Sequence, residues 1–154
     1  IVITSGGKNL SPLQIENAIK GSPYISEAIV FADQRKYPTA LIEIDFDTVS
    51  EWARSRGVIY TGFTSLARHP EVRKLIDGEI AKANQQLARV EQVKRFTILD
   101  QEFDPEAEDD PVTPTRKVRR RQMAERFKAM YEADRDRERI GEVVGVGGTE
   151  RRAA

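Results

Sequence analysis

A repeat of apolar residues with helical spacing, between positions 70 and 87, constrains the fold more than any other stretch of the chain. Pro70 suits the first position of a helix, because the N–H that proline lacks would have no partner there. The apolar residues that follow share one helical face: Val72, Leu75, Ile76, Ile80, Ala83 and Leu87. A helix with such a face needs a second layer to cover it, so we expect a layered domain.

Short apolar and β-branched runs predict five extended segments. They are residues 1–4, 8–10, 25–32, 40–46 and 96–98. The glycines Gly6 and Gly7 separate the first two segments, which predicts a β-hairpin. The run at 25–32 is apolar almost throughout, which is typical of a central strand covered on both faces.

Capping residues mark two further helices before position 70. Ser11 and Pro12 open a capping-box pattern, and Gly21 is expected to end the helix that follows. Asp47 is the expected cap of a second helix, which ends near Gly57. The first of these helices falls between the hairpin and the strand at 25–32, and the second follows the strand at 40–46.

The remaining stretches complete the predicted fold. Residues 58–68 have no clear period and are predicted to be a loop, while residues 117–131 carry the apolar stripe of a last helix. The sequence therefore predicts a small α+β domain: a three-stranded sheet, an N-terminal β-hairpin and about four packing helices. We expect this domain to span residues 1–134, and residues 135–154 to be a charged, glycine-containing, flexible tail.

Composition excludes several classes of function. Lys plus Arg balances Asp plus Glu at 25 each, so no overall basic bias indicates nucleic acid or a membrane surface. The absence of cysteine excludes disulfides and thiolate chemistry and fits a reducing compartment. No signal peptide and no membrane-spanning run is visible, so we expect a cytoplasmic protein. The chain starts with Ile1 inside an apolar run, and we interpret it as part of a longer protein.

Positive charge is concentrated around Lys117. Pro111 and Pro114 precede this lysine, which would lie where a loop turns into the last helix. Arginines surround it at positions 116, 119, 120 and 121. A lysine on a flexible stem, in a strongly positive region, suits an anionic ligand such as phosphate.

Other motifs have simpler interpretations. The SGGK stretch lacks the spacing of a P-loop and the Ser or Thr after its lysine. Asp100, Glu102 and Asp104 resemble the start of a calcium loop, but Pro105 stands where a glycine must turn the chain, so no metal site is predicted. His69, the only histidine, is interpreted as a helix-start residue.

Two separated motifs carry a specific resemblance. ITSGGKNLSPLQIENAI, at residues 3–19, closely resembles the eighth core motif of the adenylate-forming superfamily. PTRKVRRR, at residues 114–121, resembles its tenth core motif, and VKRFTIL at 93–99 resembles the phrase between them. TSGGKN together with TPTRKVRRR is most similar to long-chain fatty-acyl-CoA synthetases. In that family a large N-terminal domain binds ATP and the fatty acid, and a small C-terminal domain closes over it in two orientations.

The resemblance implies roles for particular residues. Lys117 matches the catalytic lysine of the adenylation step, and Gly7 matches the glycine that lines the pantetheine tunnel during thioester formation. Lys94 matches a lysine that contacts the CoA nucleotide phosphates, and the segment from Arg35 to Tyr37 lies near where the CoA adenine would stack. Lys8 completes the predicted cofactor-binding set, together with Gly6, which we expect to supply the turn. Two features depart from the family pattern: Arg116 replaces the usual glycine before the lysine, and the hinge residue falls before position 1.

The same resemblance implies the ligands and the partner. ATP, CoA and Mg²⁺ are the expected cofactors, with Mg²⁺ and most ATP contacts in the N-terminal domain, which is the expected partner along with the fatty acid. We expect that the protein does not bind nucleic acid and that it can associate peripherally with a membrane. The isolated chain is expected to be inactive. Two alternatives stay open: an adenylate-forming ligase for a different acid, or a non-enzymatic domain that uses its basic patch for binding.

Overall fold

The computed structural model describes residues 1–102, residue 125, and the strand residues 142–144 and 150–152. Lys117 and most of the predicted last helix lie outside the described residues. Glu125, within the predicted span of that helix, is helical and exposed. The predicted boundary at residue 134 also lies outside them, so the division into a domain and a tail stays a prediction.

A three-stranded sheet forms the centre of the domain. Its strands are β3 (Ile25–Phe31), β4 (Thr39–Ile44) and β5 (Arg95–Ile98), in the order β3-β4-β5. β3 and β4 are antiparallel, whereas β5 joins β4 in parallel. Among the described strands β3 therefore lies at an edge of the sheet and not at the centre, as had been expected for 25–32, although β3 is largely buried. β3 and β4 pair through a short connection, and β5 reaches the far side of β4 only after a long helical crossover.

Within residues 1–102, four helices and a short hairpin accompany the sheet. The hairpin strands are β1 (Val2–Ile3) and β2 (Asn9–Leu10), and the helices are α1 (Pro12–Ile19), α2 (Phe46–Ser55), α3 (Phe63–Ala67) and α4 (Pro70–Asn84). A 3₁₀ turn, Arg89–Glu91, lies between α4 and β5. This architecture confirms the predicted α+β fold class.

Local capping explains where the helices begin. The Ser11 hydroxyl accepts the N–H of Gln14 at 3.4 Å, as the capping pattern predicts. α2 is capped by Asp45 rather than by Asp47, because the Asp45 carboxylate accepts the N–H of Thr48 at 3.0 Å. His69 caps α4 through Nδ1, which accepts the N–H of Glu71 at 3.1 Å, so its role at a helix start is confirmed.

The helix α3 replaces part of the loop predicted at 58–68. The Ser65 hydroxyl accepts the backbone N–H groups of Thr61 at 2.8 Å and Gly62 at 3.2 Å, which fixes the start of this short helix. Leu66 and Ala67 are buried on the core side. A helix of five residues is too short to show a hydrophobic period in the sequence, which is why the pattern missed it.

The hydrophobic core lies between one face of the sheet and the helices. Alternate strand residues point into it because side chains alternate between the two faces of a sheet. From the strands these are Ala28, Val30, Ala40, Ile42, Ile44, Phe96 and Ile98, and from the helices Ile15, Ile19, Val49, Ala53, Leu66, Val72, Ile76, Ile80 and Ala83. Leu87 packs half-buried beyond the end of α4, which stops at Asn84.

Near the C-terminus, β6 (Glu142–Val144) and β7 (Glu150–Arg152) pair as an antiparallel hairpin. The sequence did not predict regular structure here, since the surrounding glycines and charges show no alternation. Within the described residues, no helix is long and apolar enough to cross a bilayer.

Candidate cofactor-binding groove

The turn of the N-terminal hairpin depends on Gly7. The N–H of Gly7 donates to the carbonyl of Thr4 at 3.0 Å, and the N–H of Thr4 donates to the carbonyl of Lys8 at 2.9 Å. Gly7 has φ of +79°, a left-handed conformation that favours glycine, whereas Gly6 has no positive φ. Ser5 and Gly6 are the central residues of the turn that this Gly7–Thr4 hydrogen bond closes, as expected for Gly6, and the left-handed conformation lies at the next residue, Gly7.

Main-chain hydrogen bonds dock this hairpin onto the segment between β3 and β4. The N–H of Gln34 donates to the carbonyl of Ile3 at 2.8 Å, and the N–H of Ser5 donates to the carbonyl of Arg35 at 2.9 Å. Arg35 is itself buried, and its guanidinium donates to the Thr39 hydroxyl at 2.7 Å. The hairpin turn is thereby held beside the connection that carries Lys36 and Tyr37.

The segment before β5 supplies the third wall. The N–H of Lys94 donates to the carbonyl of Pro38 at 3.2 Å, which holds Lys94 next to the β3–β4 connection. Its ammonium donates to the Gln92 side chain at 3.2 Å and is exposed to solvent. Just before it, the 3₁₀ turn at Arg89 faces the same space.

These three walls enclose an open groove of about 380 Å³. It is lined by Thr4, Gly6, Lys8, Lys36, Tyr37, Arg89, Val90 and Lys94. Four of the five residues predicted to bind cofactor, which are Gly6, Lys8, Tyr37 and Lys94, thus come together from three separate parts of the chain. Gly7 is not among the lining residues, although it lies in the adjoining turn.

The charge of the groove is one-sided. Lys8, Lys36, Arg89 and Lys94 are cationic, and no carboxylate is among the lining residues, although acids and bases balance over the chain as a whole. A concave surface of one charge attracts a ligand of the opposite charge. Tyr37 and Val90 add aromatic and apolar surface, which suits the base of a nucleotide.

The titratable side chains of the groove lining are three lysines, one arginine and one tyrosine. Its lining holds no carboxylate, histidine or cysteine that could act as a general base or as a thiol nucleophile. In the part of the chain that the structure describes, no cluster of acidic or histidine side chains could hold a metal ion. Its cations fit phosphate groups, whereas no group of described side chains fits Mg²⁺.

Sequence reasoning gave no role to three of the lining residues, which are Thr4, Arg89 and Val90. Lys36 lies within the segment 35–37, which the resemblance had placed near the CoA adenine. Arg89 and Val90 follow a helix end with no motif around them, and no sequence signal marks them. Only the folding of the 84–94 segment against the β3–β4 connection brings them to the groove.

A separate ionic cluster links the segment after α1 to α4, outside the groove. The buried carboxylate of Glu79 accepts the Ser22 hydroxyl at 2.7 Å and the Lys82 ammonium at 2.8 Å. Burial alone would raise the pKa of Glu79, but the hydrogen bonds from Lys82 and Ser22 and the charge of Lys82 outweigh it and lower that pKa. The same hydrogen bond raises the pKa of Lys82.

The fold and the eighth-motif hairpin match a known class of protein domain. The family of AMP-binding enzyme C-terminal domains matches residues 1–135, so the chain belongs to this family. Among curated proteins, it is 38% identical over 133 residues to one from Mycobacterium tuberculosis that bears the name "Putative fatty-acid--CoA ligase fadD11". It is 33% identical over 134 residues to the long-chain-fatty-acid–CoA ligase FadD15 of the same species.

These relatives are much longer than the chain. Each match includes 86% of this chain but only 23% of fadD11 and 22% of FadD15. A solved structure, the adenylation domain of a carboxylate reductase from Mycobacterium chelonae, superposes with a TM-score of 0.60. That match covers 86% of this chain and 19% of the reductase chain at 18% identity, and it shows a shared fold.

Proposed function

We propose that the chain is the C-terminal domain of a long-chain fatty-acid–CoA ligase. The complete enzyme would convert ATP, a fatty acid and CoA to acyl-CoA, AMP and pyrophosphate, through an acyl-adenylate. Membership in the AMP-binding C-terminal family and similarity to two mycobacterial fatty-acid–CoA ligases support this proposal. The domain would contribute one lysine to the first half-reaction and a CoA-binding surface to the second.

The observation that carries the proposal is the groove. Gly6, Lys8, Tyr37 and Lys94 were selected by resemblance to ligases that bind CoA, and the fold gathers these distant positions around one depression. CoA carries a pyrophosphate and a further phosphate on its ribose, and cationic side chains without an opposing carboxylate suit that charge. The aromatic ring of Tyr37 offers a surface on which an adenine can stack.

Lys117 is the proposed contributor to adenylation. The carboxylate of the fatty acid and the α-phosphate of ATP repel each other as they approach. A lysine ammonium placed between them stabilises the charge that develops in the transition state. The arginines that follow Lys117 in the sequence would strengthen this positive potential.

The two half-reactions would use different faces of the domain. Gly7 lies in the hairpin turn beside the groove, and Lys117 follows it by 110 positions in the sequence. A domain that turns between two orientations could bring first Lys117 and then Gly7 to the same reacting centre. Gly7 would then lie along the path of the pantetheine arm, where the absence of a side chain leaves room.

The groove assignment is tested by separating the half-reactions in the complete ligase. Lys94→Ala and Lys8→Ala are each expected to raise the KM for CoA about tenfold, because each removes a cation from a phosphate. Pyrophosphate release without CoA should stay at the wild-type rate.

Lys74→Ala is the matched control. This exposed lysine on α4 pairs with Glu71 at 3.4 Å and does not line the groove, so the KM for CoA should not change. If Lys94→Ala and Lys8→Ala left the KM for CoA at the wild-type value, CoA would bind elsewhere.

A further inference from the structure

Building on the proposed function, we infer that Arg89 determines specificity for CoA by binding its terminal phosphomonoester, and that Asn84 positions it. Arg89 opens the 3₁₀ turn at the edge of the groove. The family resemblance gave a role to neither residue. Both belong to the segment between α4 and β5, which forms the third wall of the groove.

The guanidinium of Arg89 is available to a ligand. Its side chain is exposed, and in the described residues it forms no ion pair or side-chain hydrogen bond. The nearest carboxylate in the sequence, that of Glu91, is engaged elsewhere: it accepts the N–H of Ala88 at 2.9 Å. The charge of Arg89 therefore adds to the positive potential of the groove.

The segment that carries Arg89 is closed at its base by Asn84. The side-chain amide of Asn84 pairs with both main-chain groups of Val93: Nδ2 donates to the carbonyl at 2.9 Å, and Oδ1 accepts the N–H at 2.8 Å. Gln92 adds a hydrogen bond from its side-chain amide to the carbonyl of Asn84 at 3.2 Å. A closed base restricts the segment before any ligand binds, which lowers the entropy lost on binding.

Arginine and lysine recognise phosphate differently. The planar guanidinium donates two parallel hydrogen bonds to two oxygens of one phosphate, whereas a lysine acts as a point charge. A phosphomonoester carries a charge of about −1.5 to −2 near neutral pH and has three free oxygens. In CoA this group is the phosphate on the ribose, while the pyrophosphate is esterified at both ends. Arg89, the one arginine in the groove lining, is therefore assigned to the monoester.

Dephospho-CoA, which lacks only the monoester, provides the test. In the complete ligase, with ATP and fatty acid saturating, Arg89→Ala should raise the KM for CoA about tenfold. The KM for dephospho-CoA should change by less than about twofold, since the lost contact is absent from that complex. Compared with Arg89→Ala, Arg89→Lys should restore only part of the preference for CoA over dephospho-CoA. Arg54→Ala, which removes an exposed arginine of α2 outside the groove, is the control and should alter neither value.

Asn84 is tested by the ratio of the KM for dephospho-CoA to the KM for CoA, which measures the preference of the enzyme for CoA. Asn84→Ala and Asn84→Asp should both weaken the preference for CoA, because the aspartate cannot donate to the carbonyl of Val93. Adding Asn84→Ala to Arg89→Ala should cause no further loss of preference. General destabilisation would lower the melting temperature and the amount of active enzyme without selectively changing this ratio. Asn17→Ala, an exposed asparagine on α1, is the control.

Three results would overturn these assignments at different levels. An equal rise in both KM values for Arg89→Ala would mean that Arg89 does not bind the monoester. No change for Arg89→Ala, with a raised KM for CoA in Lys94→Ala, would remove Arg89 from the site and leave the proposed function standing. No change in either variant would remove CoA from the groove altogether.

Discussion

The carboxylate of Glu16, buried in α1, accepts the backbone N–H of Val30 in β3 at 2.8 Å. Within the described part of the chain β3 lies at the edge of its sheet, with β4 as its partner strand. An N–H on such an edge needs a hydrogen-bond partner once it is buried. Glu16 therefore joins α1 to the sheet and accounts for a charged residue on the buried face of that helix.

Removing this carboxylate should destabilise the domain. Glu16→Ala leaves the N–H of Val30 without its acceptor, at a cost of about 2 kcal/mol in the free energy of unfolding. For a domain of this size the melting temperature should fall by roughly 5 °C. Thermal unfolding of the chain, followed by circular dichroism, measures this fall in melting temperature. Gln14→Ala, which changes an exposed residue of the same helix, is the control. A wild-type melting temperature for Glu16→Ala would show that the hydrogen bond contributes nothing.

Glu79 should make stability depend on pH in the acidic range. Its pKa in the folded state lies below the ordinary value of 4.5, so the stabilisation is fully present above 4.5 and is lost as the pH falls through the folded-state pKa. Glu79→Gln should therefore be less stable than wild type at neutral pH, and the difference should shrink below pH 4.5. Urea unfolding at several pH values across this range measures the stability of the wild type and of Glu79→Gln.

The control for the pH prediction is Glu71→Gln. Glu71 is an exposed carboxylate on the same helix, paired with Lys74 at the surface. Its replacement should change stability little at any pH. A constant difference between wild type and Glu79→Gln down to the acid limit would contradict the assigned direction of the pKa shift.

The two glycines of the hairpin turn should respond differently to alanine. Gly7 has φ of +79°, so Gly7→Ala should cost about 1 kcal/mol of backbone strain. An added Cβ meets no atom within 4 Å at Gly7, so strain is the only penalty in the folded domain. Gly6→Ala is the matched control. Gly6 has no positive φ, and its added Cβ would lie 3.9 Å from the Thr4 hydroxyl, which is an ordinary van der Waals distance. Equal losses of stability in the two variants would contradict this difference.

A larger side chain at Gly7 tests the proposed pantetheine path in the complete ligase. Gly7→Leu should slow acyl-CoA formation while leaving pyrophosphate release in a single turnover without CoA unchanged. The side chain would stand in the path of the thiol but away from the adenylation site. A folded Gly7→Leu enzyme that lost both half-reactions equally would show that Gly7 serves only as a turn.

Lys117→Ala should have the opposite selectivity. Acyl-adenylate formation by the complete ligase should slow by about 10² or more, the usual cost of losing a preorganised charge contact in a transition state. Thioester formation from supplied acyl-adenylate should be almost unchanged. Rapid-quench measurement of each half-reaction separates the two. Equal loss in both would contradict the division of labour between Lys117 and Gly7.

Local chemistry made two of the four described helix starts predictable. Ser11 before Pro12 and His69 before Pro70 are signals contained within a few residues, and both helices begin where those signals place them. The cap at Asp45 was misplaced by two residues because Asp47 offers the same side chain nearby. The helix at 63–67 was missed, since its start depends on Ser65 accepting N–H groups that precede it.

The sequence by itself determined the fold class and the helix starts at Ser11 and His69, and its resemblance to the family drew attention to Gly6, Lys8, Tyr37 and Lys94, which the structure places around one groove. Tertiary structure alone decided the edge position of β3 among the described strands, the parallel pairing of β5, and the arrival of Arg89 at the groove. Capping and periodicity act over one or two turns of chain and leave a local pattern. Strand order and a groove formed by distant segments depend on which pairings bury the most surface and satisfy the most hydrogen bonds, and these are properties of the whole folded chain.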